Sequence, residues 1–183
     1  ELSMSSKNQK KLSQILSLNH KAYQLTGLGR YGESLQCLLT AFDMAENKQT
    51  DRNDNWLSTV SSFNGDKRLY MLSNTHHIFA ILMWQTQNSQ QEILHFLEAR
   101  RIAGEIGYTI RQQMADMNLG RSYAMIGKLD SALFFEREAE QLVPKSGFKK
   151  FLGQIYNILG GIYYSKGDEK LSGEYYYKGI EAA

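Results

Sequence analysis

One pattern of small, apolar and aromatic residues recurs every 40 residues through most of this chain, and it constrains the fold more than any other feature. Its clearest copy is QMADMNLGRSYAMIGKLDSALFFEREAEQLVP, residues 113–144. Leu119, Gly120 and Tyr123 stand at i, i+1 and i+4, on one side of a helix. Gly127 interrupts the pattern and predicts a tight turn. Ala132 and Ala139 are seven apart, so they share a face of a second helix, and Pro144 is expected just past its end. Gly120, Ala132 and Ala139 let two helices approach closely, while Leu119, Tyr123 and Leu133 fill the remaining space.

Forty residues on, the same frame holds Tyr156, Leu159, Gly160, Tyr163 and Gly167, then Ser172, Tyr176 and Gly179. Forty residues back it holds Ala80, Met83, Phe96 and Ala99, with Glu92 where a small residue belongs. A first copy places Ala22, Leu25, Gly29, Ser34, Leu38 and Ala41. The chain is therefore expected to be all-α, one domain of four antiparallel helix pairs near residues 5–47, 66–106, 108–144 and 147–183. An insertion at 48–65 breaks the period.

Leu-Gly-x-x-Tyr, then Gly, Ala, Ala and Pro at these spacings resembles the tetratricopeptide repeat. The resemblance implies a right-handed α-α superhelix. The family prefers aromatics where this chain has Asp116 and Glu136, and its usual unit is about 34 residues. The longer period predicts extended first helices, since no strong breaker follows Gly147 up to Phe151. The phrase ARRIAGEIG at 99–107 resembles the second-helix ending of long units in bacterial regulators. In this family the first helices line a concave groove. By resemblance the groove positions are Asn74, His77, Ile81, Trp84 and Gln85, then Met114, Met117, Arg121, Ala124 and Met125, then Gln154, Asn157, Gly161, Tyr164 and Ser165. The subfamily that grips a C-terminal carboxylate uses a Lys-and-Asn clamp. Asn19 and Asn157 match its Asn position, but no lysines complete it.

In chain order, Ser5 or Ser6 caps a helix to about residue 25, with Leu12, Ile15, Leu18, Ala22 and Leu25 on one face. A second helix starts near Tyr31. Within the insertion, Trp56, Leu57, Val60 and Phe63 form one apolar face that Asp54 can cap, predicting a short helix. Further helices are predicted over 66–87, from Ser89, over 108–126, 129–143 and 148–165, and from Asp168 to the end. Ser89 with Glu92 three residues on reads as a capping box.

The chemistry-bearing residues fall into no catalytic constellation. His76 and His77 are adjacent, so they point about 100° apart on a helix and cannot easily share a metal with His95. Cys37 has no base beside it and reads as a structural thiol. Leu159-Gly160-Gly161 lies mid-helix and is no phosphate loop. Arg100-Arg101 and Lys149-Lys150 are short basic pairs on solvated faces. A net charge of +2 does not suggest a nucleic-acid binder. The longest apolar run, residues 78–84, is too short to span a membrane. No enzyme activity, cofactor or metal is expected.

The expected function is thus a protein- or peptide-binding scaffold, the sensor or assembly region of a larger bacterial signalling or transcription regulator. The alternatives are the docking arm of an enzyme whose catalytic part lies elsewhere, and a carbohydrate- or small-molecule-binding solenoid suggested by the Tyr and Trp content. The peptide is expected to centre on Met114, Met117, Arg121 and Met125, with Trp84 and Tyr164 as aromatic anchors. Leu171, Tyr175, Tyr176 and Ile180 leave the last helix without a polar cap, which predicts further repeats beyond residue 183 or self-association through that helix. The sequence leaves cytoplasm and periplasm both open.

Overall fold

A computed structural model describes residues 6–46 and 67–182. The insertion, with its short helix, lies outside the described residues. Eight α-helices and no strand occur among the described residues: α1 Ser6–Gly27, α2 Tyr31–Glu46, α3 Lys67–Gln85, α4 Ser89–Glu105, α5 Thr109–Met125, α6 Leu129–Ser146, α7 Leu152–Ser165 and α8 Glu169–Glu181. They fall into two compact units, Glu1–Tyr108 and Thr109–Ala183. The fold class is all-α, with the neighbouring helices of each unit packed in the manner of an α-α superhelix. In the first unit α1 pairs with α2 and α3 with α4, and α3 packs against both helices of the preceding pair. The second unit repeats this scheme: α5 pairs with α6, α7 with α8, and α7 packs on both α5 and α6.

The turns follow from backbone sterics. Gly29, Gly107, Gly127, Gly147 and Gly167 all have positive φ, the left-handed conformation that closes a helix end. Gln87 stands 40 residues before Gly127 and also has positive φ, 58°, so a side chain occupies a position where glycine is unstrained. Asp168 caps α8 as the sequence predicts, its side chain accepting from the Leu171 amide. At α4 the cap is Asn88, which accepts from the Gln91 amide, rather than Ser89. Glu92 is buried.

The longer period is distributed differently from the sequence expectation. Helix α6 runs through Pro144 to Ser146 and ends at Gly147, whose amide donates to the Val143 carbonyl. Helix α7 begins only at Leu152 and has 14 residues, so 147–151 lengthens a connection rather than a first helix. Buried Gln113 explains why. Its Nε2 donates to the Phe148 carbonyl at 3.1 Å, and its Oε1 accepts from the Ser146 hydroxyl at 2.6 Å. These bonds satisfy backbone and side-chain groups that a continuing helix would have used.

Small residues set the helix approach. In the first unit Ala22, Ala41, Ala45, Ala80, Ala99 and Ala103 are fully buried. Ser34 Oγ donates to the Ala22 carbonyl at 2.9 Å, so the α1–α2 crossing is close enough for a side-chain bond to backbone. In the second unit a Cβ built on Gly120 would lie 2.4 Å from Glu136 Cγ, and one on Gly160 would lie 2.9 Å from the Tyr176 ring. Glu136 therefore takes the place that Tyr176 takes in the next pair. It is fully buried, and neither carboxyl oxygen has a hydrogen-bond partner. Burial first, then the nearby Asp116 carboxylate, push the Glu136 carboxyl well above the usual 4.5, with Arg121 opposing them.

Two predictions follow from this packing. Replacing Gln87 by Gly removes roughly 1–2 kcal/mol of left-handed strain and adds roughly 0.4–1 kcal/mol of unfolded-chain entropy. The net expectation is a gain of about 0.5–1 kcal/mol in denaturant midpoint experiments. The Glu136 carboxyl binds its proton more tightly folded than unfolded. Its stabilising contribution is complete below 4.5 and is lost as pH rises through the folded value. Relative to a Glu136→Gln variant, the wild type should lose stability progressively as pH rises above 4.5. A constant difference across that range would show that Glu136 is ionised in the folded chain.

Candidate binding pocket of the second unit

Helices α5, α6 and α7 enclose an open pocket of about 300 Å³. Arg121, Ala124 and Met125 line it from α5, Leu129 from the start of α6, and Ile158, Gly161, Ile162 and Ser165 from α7. The pocket exists because of what is missing. Ala124, Gly161 and Ser165 are small, at positions spaced so that they share helix faces, and they leave room between α5 and α7. The Ser165 hydroxyl donates to the Gly161 carbonyl at 3.0 Å, so its polar atom is turned into its own helix. The walls are then aliphatic, and the one ionised side chain among them is Arg121. The size suits one or two side chains of a ligand rather than a folded partner.

Arg121 follows Gly120 directly in sequence, so it stands beside the buried Glu136 carboxyl. The guanidinium favours ionisation of Glu136, yet burial and Asp116 outweigh it. A Glu136 that stays protonated neutralises nothing, leaving Asp116 as the anionic neighbour in this group.

The structure distributes the sequence-predicted groove residues unevenly. His77 is buried, its ring edge-on to Phe96 at 5.2 Å, and belongs to the interior of the first unit. Met117 is buried with Ala139, Val143, Ile155 and Leu159 in the core of the second. Neither presents a side chain to a ligand. Both occupy the same repeat position and turn inward, whereas Asn157 at that position of the last pair does not. Asn74, Ile81 and Met114 are half-buried, and Met114 Sδ lies 3.9 Å from Arg111 Nη1. Trp84, Met125, Asn157 and Tyr164 are exposed. Of the fifteen groove positions, Arg121, Ala124, Met125, Gly161 and Ser165 line the pocket. Sequence reasoning passed over Leu129, Ile158 and Ile162. The signal was present for the last two, which flank Gly161 at i−3 and i+1.

Asn19 is also accounted for. Its amide nitrogen donates to Thr75 Oγ1 at 3.0 Å, both groups being buried between α1 and α3. It ties two helices together and is unavailable to a carboxylate. Among the described residues no group of three or more His, Cys, Asp or Glu side chains could hold a metal ion. No helix among them is long and apolar enough to cross a membrane.

No family model matches the sequence, and no curated protein matches it. Among solved structures, the crystal structure of BtubC (BKLC) from P. vanneervenii is similar, with a TM-score of 0.73 at 13% sequence identity over 90% of this chain. The match covers 61% of that protein, so the chain spans less than two thirds of its length. At this identity the likeness is one of fold.

Proposed function

We propose that this chain is a non-catalytic scaffold that binds a protein or peptide. The observation that carries the reading is the α5–α7 pocket, an aliphatic cleft whose lining includes a single guanidinium, on helices that both open a pair. Such a cleft accepts an apolar side chain next to an acidic group: the aliphatic walls contribute by burial, and the guanidinium fixes orientation through a charge-assisted bond. The resemblance of the repeats to tetratricopeptide units supports the same reading. The ARRIAGEIG phrase supports placing the scaffold in the sensor or assembly region of a larger bacterial regulator.

The test is selection of peptides from a displayed random library on the wild-type chain, followed by affinity measurement on variants. Gly161→Leu fills the cleft, and the nearest atom to a Cβ at that position is the Tyr176 hydroxyl at 3.5 Å, an ordinary contact. Arg121→Gln removes the charge. Selected sequences should pair an acidic group with a large apolar residue, and each variant should weaken them by about tenfold or more, the loss of one charge-assisted bond or one buried side chain. Thermal melts of the variants check that folding is kept. Peptides that bind the Gly161→Leu variant as well as the wild type would place the binding surface elsewhere.

A further inference from the structure

In the first unit the sequence separates His76 from His95 by a turn and two helix halves, yet the pairing of α3 with α4 brings them together. Their Nδ1 atoms lie 2.9 Å apart, and their ring centroids are 5.1 Å apart. His95 stacks on Phe79 at 4.1 Å with an interplanar angle of 20°, and Phe42 of α2 stands edge-on to His76 at 4.6 Å. Two imidazoles are thus held nitrogen to nitrogen, their planes tilted by 36°, in a half-buried aromatic cage.

The distance has a strict chemical consequence. Nitrogen–nitrogen contact at 2.9 Å requires one proton between the two atoms. In a neutral pair, one ring must then be the Nδ1–H tautomer and the other the Nε2–H tautomer, with its Nδ1 lone pair accepting. Adding one proton leaves the bond intact, because an imidazolium donates from both nitrogens and the partner still accepts. Adding a second proton removes the only acceptor and sets two cations against each other in a half-buried cage.

We propose that the His76–His95 contact is a clasp between α3 and α4 that acid releases: it is closed with the pair neutral or singly protonated, and it opens when both rings carry a proton. The surroundings favour this reading from every side. From α2 the wall is Phe42, and α1 meets α3 through the neutral Asn19–Thr75 bond. The ionised groups acting on His76 come from α4. They are Glu98, which favours its protonation, and Arg101, which opposes it. Arg101 holds Glu98 through bonds of 2.6 and 3.0 Å, which blunts the carboxylate. Burial, then His95, lower His76 from 6.5 to about 4, and burial also lowers His95. A histidine depressed in the folded state contributes stability that is full above 6.5 and is lost as pH falls toward about 4. In the same repeat positions the last pair carries Tyr156 and Tyr175, whose ring centroids are 6.0 Å apart and which do not titrate in this range.

The experiment uses the whole chain. Long-range proton–nitrogen spectra of the histidine rings at about pH 7 should show one Nδ1–H and one Nε2–H tautomer for this pair. On acidification to about pH 5, amide hydrogen exchange in α3 and α4, corrected for intrinsic rate, should accelerate by about tenfold or more, the effect of one unit of pKa displacement. A His76→Tyr, His95→Tyr double variant copies the last pair and should accelerate by less than about twofold over the same interval. His77 remains in place and serves as control for other buried imidazoles. Two independent titrations near 6.5 with like tautomers would overturn the clasp. So would an acid response of the same size in the double variant, which would assign it to His77 or another group. The ring spectra are taken on the unmodified chain, so they decide even where the double variant does not fold.

Discussion

The close approach of each second helix to the first helix of its own pair is the constraint from which the rest follows. At Gly120 and Gly160 it leaves no room for a methyl group: any Cβ would fall inside Glu136 or the Tyr176 ring. Side-chain volume removed on one helix must be supplied by the other, because interiors pack to nearly constant density. The first unit solves the same problem with fully buried Ala80 and a fully buried Phe96 in the equivalent places. Ridge-and-groove packing fixes which positions must be small but leaves open what fills them. That freedom is why a carboxyl group can occupy a site held elsewhere by aromatic rings.

Admitting a carboxyl there has electrostatic consequences. An ionised group in a site without hydrogen-bond partners loses far more solvation than Arg121 at the edge returns, so the group keeps its proton. Neutral Glu136 then behaves as a polar filler of about the right length. The polar contacts of the first unit follow a different rule. Asn19–Thr75, Ser34–Ala22 and Ser73–Ala99 each pair donor with acceptor across helices, so burial there costs little and fixes register.

The helices were legible in the sequence because their signals are local. Periodicity of Leu12, Ile15, Leu18, Ala22 and Leu25 predicts a buried stripe; four are buried and Leu18 is half-buried. Glycines forty residues apart predict turns, and they carry the positive φ values. What misled was inherited by resemblance or depended on distant partners. Pro144 reads as a stop from local rules, yet its helix runs two residues further to the left-handed Gly147. The Gln113 bonds that hold the following connection join residues 33 and 35 positions apart, which no window of sequence displays. The groove positions were carried over by counting along a repeat. Counting transfers the direction of a Cα–Cβ bond but not the neighbours it meets. His77 and Met117 lie instead against Phe96 and in the α6–α7 core.

His76 and His77 do diverge around the helix, as geometry requires. Both meet α4, His77 at the apolar Phe96 and His76 at His95, and at the positions equivalent to His76 and His95 the last pair sets Tyr156 against Tyr175. The seam between paired helices thus carries Tyr against Tyr in one copy and His against His in another. In the copy with Asp116, Phe135 turns instead to stack on Tyr123 at 5.4 Å. Three chemistries satisfy one geometry because the seam asks mainly for flat or short side chains of the right volume. The histidine version changes charge on titration, and so does the Glu136 carboxyl one position along from Phe135; the two do so in opposite senses. Acid removes the stabilising state of His76 and supplies that of Glu136. The two units of this chain therefore respond to pH with opposite sign at these groups, although their helices obey the same packing rule.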